Sequence, residues 1–112
     1  MFFFKSNIPS VSVEKAFEEL SPHSNIVLLD VREPFEYQEG HISNSIILPL
    51  SEIKQKVVAL VPRKDTPIFV YCRSGNRSTK AAHQLIHLGY TNVFNITGGI
   101  LEWSQKNFPI EK

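Results

Sequence analysis

The sequence predicts an α/β fold, a parallel β-sheet with helices packed on both of its faces. Three observations carry this reading. Two short apolar runs, Ile26-Val27-Leu28-Leu29-Asp30-Val31 and Pro67-Ile68-Phe69-Val70-Tyr71, do not alternate with polar residues, which is the pattern of strands covered on both faces. Helical periodicity falls between the strand-like segments, so successive strands are joined by helical crossovers and run parallel. The 112 residues, 42% hydrophobic and 21% charged, suit one globular domain and exclude a disordered or fibrous chain.

In chain order, Val13, Ala16, Phe17 and Leu20 follow the i, i+3, i+4, i+7 spacing of a helix, with Ser12 as its N-cap and Glu14 in its first turn. The first apolar run comes next. Pro34 opens a short helix that Gly40 ends. Ser45-Ile46-Ile47-Leu48 is a weaker strand stopped by Pro49, and Ser51 caps a helix carrying Ile53, Val57, Leu60 and Val61 on one face. The second apolar run delivers Cys72. A helix from Ser78 to Leu88 then turns Ala81, Ala82, Leu85 and Ile86 inward, with Gly89 as its stop. Asn92-Val93-Phe94-Asn95-Ile96 is the last strand, and a helix with Trp103 follows Gly98-Gly99. Chemistry on such sheets sits beyond the carboxyl ends of the strands, and Asp30 and Cys72 both fall there.

Composition narrows the function classes. Twelve basic and eleven acidic side chains leave a net charge of +1, so neither nucleic acid nor an anionic membrane is expected as a partner. The opening Met1-Phe2-Phe3-Phe4-Lys5 lacks the basic n-region and long apolar h-region of a secretion signal. No window approaches the roughly 20 apolar residues of a membrane span. A cytoplasmic location is expected, and one cysteine fits a reducing compartment. It also excludes an intrachain disulfide framework and a multi-cysteine zinc site.

Charge is unevenly spread along the chain. Residues 14–39 hold seven acids and two bases, whereas residues 54–80 hold seven bases and one acid and surround the only cysteine. An anionic ligand is favoured there. Within Tyr71-Cys72-Arg73-Ser74-Gly75-Asn76-Arg77-Ser78 a buried strand delivers Cys72 to a turn rich in Ser, Gly and Asn, and a helix starts at once. The backbone N–H groups of such a turn converge into an anion-binding nest, and the helix N-terminus adds partial positive charge. Arg73 and Arg77 place full charges near the sulfur. Each of these favours thiolate over thiol, and the thiolate is the nucleophile. A lone cysteine is more often a small buried hydrophobe. Two arginines, a glycine and a strand-to-helix elbow turn the reading toward a reactive Cys72.

Asp30-Val31-Arg32-Glu33-Pro34-Phe35-Glu36-Tyr37, Gly40-His41-Ile42, Ile47-Leu48-Pro49, the cysteine segment 72–78, and Gly98-Gly99 with Trp103 resemble the rhodanese family in content and order. The match runs from about Ser10 to the C-terminus. The resemblance implies a single domain with an open parallel sheet of about five strands, and a Cys72 that alternates between thiolate and persulfide. It implies a thiosulfate or persulfide sulfurtransferase, with a small anionic sulfur donor and a cyanide or thiol acceptor. Cys72 is then the catalytic residue. Arg73 and Arg77 hold the donor's oxygens, and the N–H cradle of Ser74, Gly75, Asn76, Arg77 and Ser78 stabilises the persulfide anion. No metal or organic cofactor is expected. Ser45 departs from the family's usual alanine, with only a local packing effect expected.

Two other readings remain. Rhodanese-like domains also serve as binding or regulatory modules, usually without the cysteine, or as sulfur carriers to a relay protein. Phosphatases and arsenate reductases on the same fold use a Cys-x5-Arg loop; here four residues separate Cys72 from Arg77, a ring expected to be too tight for phosphate. Arg73 next to the nucleophile resembles thiosulfate-type more than mercaptopyruvate-type loops. Asp30 and Arg32 are expected to brace the loop as a scaffold. His41 is expected to build the loop after the short helix. His83 and His87, four apart on a helix, have no third ligand in view and are not taken as a metal site. Gly98-Gly99 is taken as a turn, Trp103 and the phenylalanines as core, and Glu14, Glu18 and Glu19 as a solvated face.

Overall fold

The computed structural model describes residues 8–112, so the opening segment 1–5 lies outside the described residues. Along the chain run β1 (Ser10–Val11), α1 (Val13–Glu19), β2 (Val27–Asp30), α2 (Pro34–Glu39), β3 (His41–Ile42), β4 (Ile46–Ile47), a 3-10 turn (Leu50–Glu52), α3 (Ile53–Leu60), β5 (Ile68–Tyr71), α4 (Asn76–His87), β6 (Val93–Ile96), α5 (Gly99–Gln105) and β7 (Ile110–Glu111). Five strands form one parallel sheet in the order β1-β6-β5-β2-β4. This is the expected α/β architecture.

The unalternating apolar runs become β2 and β5 because both faces of each are covered. Leu29, Ile68 and Val70 face a core with Val57 of α3 and Ala81, Ala82 and Leu85 of α4. Leu28, Phe69 and Tyr71 face the other core, with Val13 and Ala16 of α1 and Ile100 and Trp103 of α5. Each large apolar side chain fully buried here contributes roughly 1.5–3 kcal/mol. Central β5 pairs with β2 in a register that sets Asp30 opposite Tyr71, one residue before Cys72. The site therefore stands at the carboxyl edge of the two most covered strands.

Several local expectations change. Helix α4 begins at Asn76, two residues early, because Gly75 supplies the turn at φ +126° that lets the chain enter the helix directly. Ser51 does not cap α3; it lies inside the 3-10 turn that leads into it. Leu60 is exposed, and Val61 takes its buried place because the chain leaves helical geometry there (φ −133°, ψ 80°). On α4 the buried stripe is narrower than expected, Ser78, Ala81, Ala82 and Leu85, and Ile86 stays exposed. Phe35 is 63% exposed rather than core, while the partly exposed Phe17 stacks on Phe108 at 4.3 Å. The edge strand β1 and the antiparallel pair β3–β7 are not legible in the sequence, because two-residue elements carry no periodicity.

Candidate active site

Strand β5 carries Cys72 to the floor of the loop, where the residue is 1% exposed. Gly75 N–H donates to its Sγ at 3.1 Å and Ser78 N–H at 3.3 Å. The first donor sits at the tip of the turn and the second in the first turn of α4, so both aim inward at one atom. The thiol donates to Ser78 Oγ at 3.4 Å. The nest expected from the sequence is therefore formed around the sulfur, by Gly75 and Ser78 above all.

Burial pushes the Cys72 thiol up, but hydrogen bonds from the Ser78 hydroxyl and from the N–H groups of Ser78, Gly75 and Ser74 outweigh it, and the thiol titrates below the ordinary cysteine value. Of the causes expected, the nest and the first turn of the helix act here, and the arginine charges are not among the main ones. Arg77 does not stand free: its Nη1 and Nη2 grip Glu36 of α2 at 2.6 and 3.0 Å. The guanidinium holds the Glu36 carboxyl at about 2, far below the usual range, although burial opposes it. Glu36 Oε1 also accepts the Glu33 N–H at 2.9 Å, so one carboxylate caps α2 and ties it to α4. Lys56 and Arg63 of the basic block are likewise paired, with Glu52 and Asp65. Arg73 is left as the loop's unpaired cation among the described residues.

At the end of β2, Arg32 grips Asp30 through Nε (2.9 and 3.1 Å) and Nη2 (2.7 Å), and Nη2 also donates to the Gly40 carbonyl at 2.8 Å. Tyr71 donates its hydroxyl proton to Asp30 Oδ2 at 2.9 Å. Having given its one proton to an acceptor-only carboxylate, it accepts from Ile42 N–H at 3.0 Å and from Ser45 Oγ at 2.9 Å. Burial first, and then the Asp30 charge, raise the phenol well above its ordinary value. Ser45 thus does more than alter packing: it donates a hydrogen bond that alanine lacks. Asp30 and Arg32 thus form a closed, buried ion pair at the end of β2, tied to the Gly40 carbonyl.

Gly99 is more than the turn expected of it, because it abuts the site. A Cβ there would collide with the backbone carbonyls of Cys72 and Arg73, which accept from Ile100 N–H and Leu101 N–H at 3.0 Å each. The first turn of α5 is thereby spent on bracing the cysteine loop. His41 stacks on Tyr37 at 3.7 Å and contacts the Tyr37 carbonyl through Nδ1 at 2.9 Å, the loop-building place expected of it. Trp103 is buried and donates to the Pro109 carbonyl. His83 and His87 lie on the exposed face of α4. Sequence reasoning misses Glu36, Ser45 and Gly99 as parts of the site. For Gly99 the doubled glycine before a helix is the available signal; for the others there is none in their neighbours.

The model of the rhodanese-like domain family matches residues 13–106, and the chain belongs to that family. It is similar to a sulfurtransferase of Allochromatium vinosum, 33% identical over 103 residues that cover 92% of this chain and 94% of that protein. It is also similar to the adenylyltransferase and sulfurtransferase uba4 of Ogataea parapolymorpha, 40% identical over 103 residues. That match takes in 89% of this chain but spans only 25% of the longer relative. Among solved structures, the rhodanese-related protein of Thermoplasma volcanium superposes with a TM-score of 0.80 at 36% identity, over 92% of this chain and 97% of that one. Its relatives at about 30–40% identity include sulfurtransferases and a putative sulfur carrier protein of Bacillus subtilis.

Proposed function

We propose that the protein transfers a sulfane sulfur from thiosulfate or a persulfide donor to cyanide or a thiol, through a persulfide on Cys72. The observation that carries this is the pair of N–H groups, from Gly75 and Ser78, converging on Cys72 Sγ at 3.1 and 3.3 Å. In the first half-reaction the thiolate attacks the donor's outer sulfur and a new S–S bond forms. The donor's own S–S bond breaks, and sulfite, or the donor thiolate, leaves with the electron pair. In the second, the acceptor attacks the outer sulfur of the persulfide, and Cys72 departs as the thiolate. No net redox agent is required, and ping-pong kinetics follow.

Each loop residue has a part in this reading. Arg73, the unpaired cation, holds the donor's anionic oxygens. Ser74, Gly75 and Ser78 stabilise charge on Sγ itself. The other first-turn N–H groups of α4, those of Asn76 and Arg77, are the donors left for the outer sulfur, while the Arg77 side chain fixes α4 to α2 through Glu36. A sulfur at the floor of a four-residue loop favours a slim, end-on sulfur atom over a tetrahedral phosphate. Asp30 and Arg32 brace the adjoining strand end.

Intact mass measurement after mixing with thiosulfate tests the reading. The expected product is heavier by one sulfur atom, and cyanide then restores the starting mass with release of thiocyanate. A protein that takes up no sulfur from thiosulfate or a persulfide, or that hydrolyses an aryl phosphate faster than it takes up sulfur, overturns it.

A further inference from the structure

The carbonyl of Gly75, the residue whose N–H donates to the sulfur, is overfilled. It accepts from Thr79 Oγ1 at 2.8 Å, from Thr79 N–H at 3.1 Å and from Ser78 Oγ at 3.1 Å. A carbonyl oxygen has two lone pairs, so three donors exceed its capacity. One of the three, the Ser78 hydroxyl, is also 3.4 Å from Cys72 Sγ. It has a single proton and cannot serve both.

The protonation state of the sulfur decides where that proton points. While Cys72 is a thiol, S–H donates to Ser78 Oγ and the Ser78 proton goes to the Gly75 carbonyl. Once the sulfur is ionised it can only accept, and the Ser78 hydroxyl is best used turned toward it. That rotation takes a donor from the part-buried Gly75 carbonyl, a loss that offsets the bond gained unless another donor fills the lone pair. Thr79 does so with both its N–H and its hydroxyl. Asn95 Nδ2, 3.5 Å from Thr79 Oγ1, occupies that oxygen as a donor and leaves the threonine proton for Gly75.

From this geometry we propose that Thr79 is a positioning residue for the sulfur: by filling the Gly75 carbonyl it releases the Ser78 hydroxyl to turn to Cys72 whenever the sulfur carries charge. Thr79 touches neither sulfur nor substrate and moves no proton to them; it acts through Ser78. The proposal rests on the reading of Cys72 as the sulfur-carrying thiolate. The charged groups around the loop are Arg73, the Arg77–Glu36 pair and the Asp30–Arg32 pair, and exchanging Thr79 for valine alters none of them.

The test is the pH midpoint of Cys72 alkylation by iodoacetamide in the full chain. Thr79→Val keeps the shape and the N–H but loses the hydroxyl, so the Ser78 hydroxyl stays on the Gly75 carbonyl. The thiol becomes a weaker acid by about tenfold, one pH unit, the scale of one hydrogen bond to a charged group. Thr79→Ser restores the native midpoint. Ser78→Ala raises the midpoint by itself, and adding Thr79→Val to it raises it no further. Thr79→Ala is the second hydroxyl-free variant should Thr79→Val not fold. An unmoved midpoint in the hydroxyl-free variant overturns the proposal, and so does a rise that persists in full without Ser78. Sulfur uptake from thiosulfate by the unaltered protein is read separately by mass. If that uptake fails, the transfer reading falls, while the alkylation series still decides whether Thr79 acts through Ser78.

Discussion

Two anion-holding clusters stand at the carboxyl edge of the same sheet, one register step apart on adjacent strands, and they handle charge in opposite ways. At the end of β2 the Asp30 carboxylate is met by a full counter-charge, with Arg32 gripping both of its oxygens, and by the Tyr71 hydroxyl. At the end of β5 the sulfur is met by backbone dipoles and one hydroxyl, while the nearest paired arginine spends its charge on Glu36. A carboxylate gripped by a guanidinium is neutralised and becomes structure. A thiolate held by dipoles keeps its charge and its nucleophilicity. Depth in the protein is similar in the two cases; what differs is the kind of solvation, a full counter-charge at Asp30 and dipoles at Cys72.

The comparison breaks most sharply at the sulfur. Cys72→Ser should fold with an unchanged circular dichroism spectrum yet release no thiocyanate from thiosulfate and cyanide, because a serine hydroxyl does not ionise in such a cradle. Transfer retained by that variant would remove Cys72 from the mechanism, since no second cysteine exists. Next comes the scaffold. Asp30→Ala leaves the buried Arg32 charge unpaired and should lower unfolding free energy by about 3–5 kcal/mol in urea titration. A loss within the error of that titration would show that the pair is dispensable.

Smaller effects sharpen the contrast. Tyr71→Phe strands the Ser45 hydroxyl, the Ile42 N–H and one Asp30 bond, and should cost about 1–3 kcal/mol. It should leave the alkylation midpoint of Cys72 where it was; a shifted midpoint would mean that the two clusters are one. The smallest effect belongs to the Arg77–Glu36 tie, which is part-buried with Arg77 reaching solvent, and is worth about 1 kcal/mol after solvent screening. Glu36 is depressed in the folded protein to about 2 from its ordinary 4.5. Its contribution is therefore fully present above about pH 4.5 and is lost as pH falls toward 2. Glu36→Gln should flatten that part of the stability–pH curve and leave neutral-pH stability lower by the same small amount. Parallel curves for the two proteins would show that the tie does not couple to folding.

The sequence by itself determined the layered α/β plan and the identity of the cysteine loop. Both are written in contiguous residues: strands buried on both faces must be apolar throughout, and a nest needs its N–H donors within a few residues of the atom they hold. Gly75 and Ser78 are thus legible beside Cys72. Only the tertiary structure decided where the charges went. Arg77 finds Glu36, and Tyr71 finds Asp30, each across 41 residues of chain. Ser45 joins the network because the fold brings it against the Tyr71 hydroxyl, and Gly99 braces the loop because α5 starts against the Cys72 and Arg73 carbonyls. The physical reason is one of range. Periodicity records which side of an element is dry, whereas an ion pair depends on which element ends the packed sheet brings within hydrogen-bonding distance.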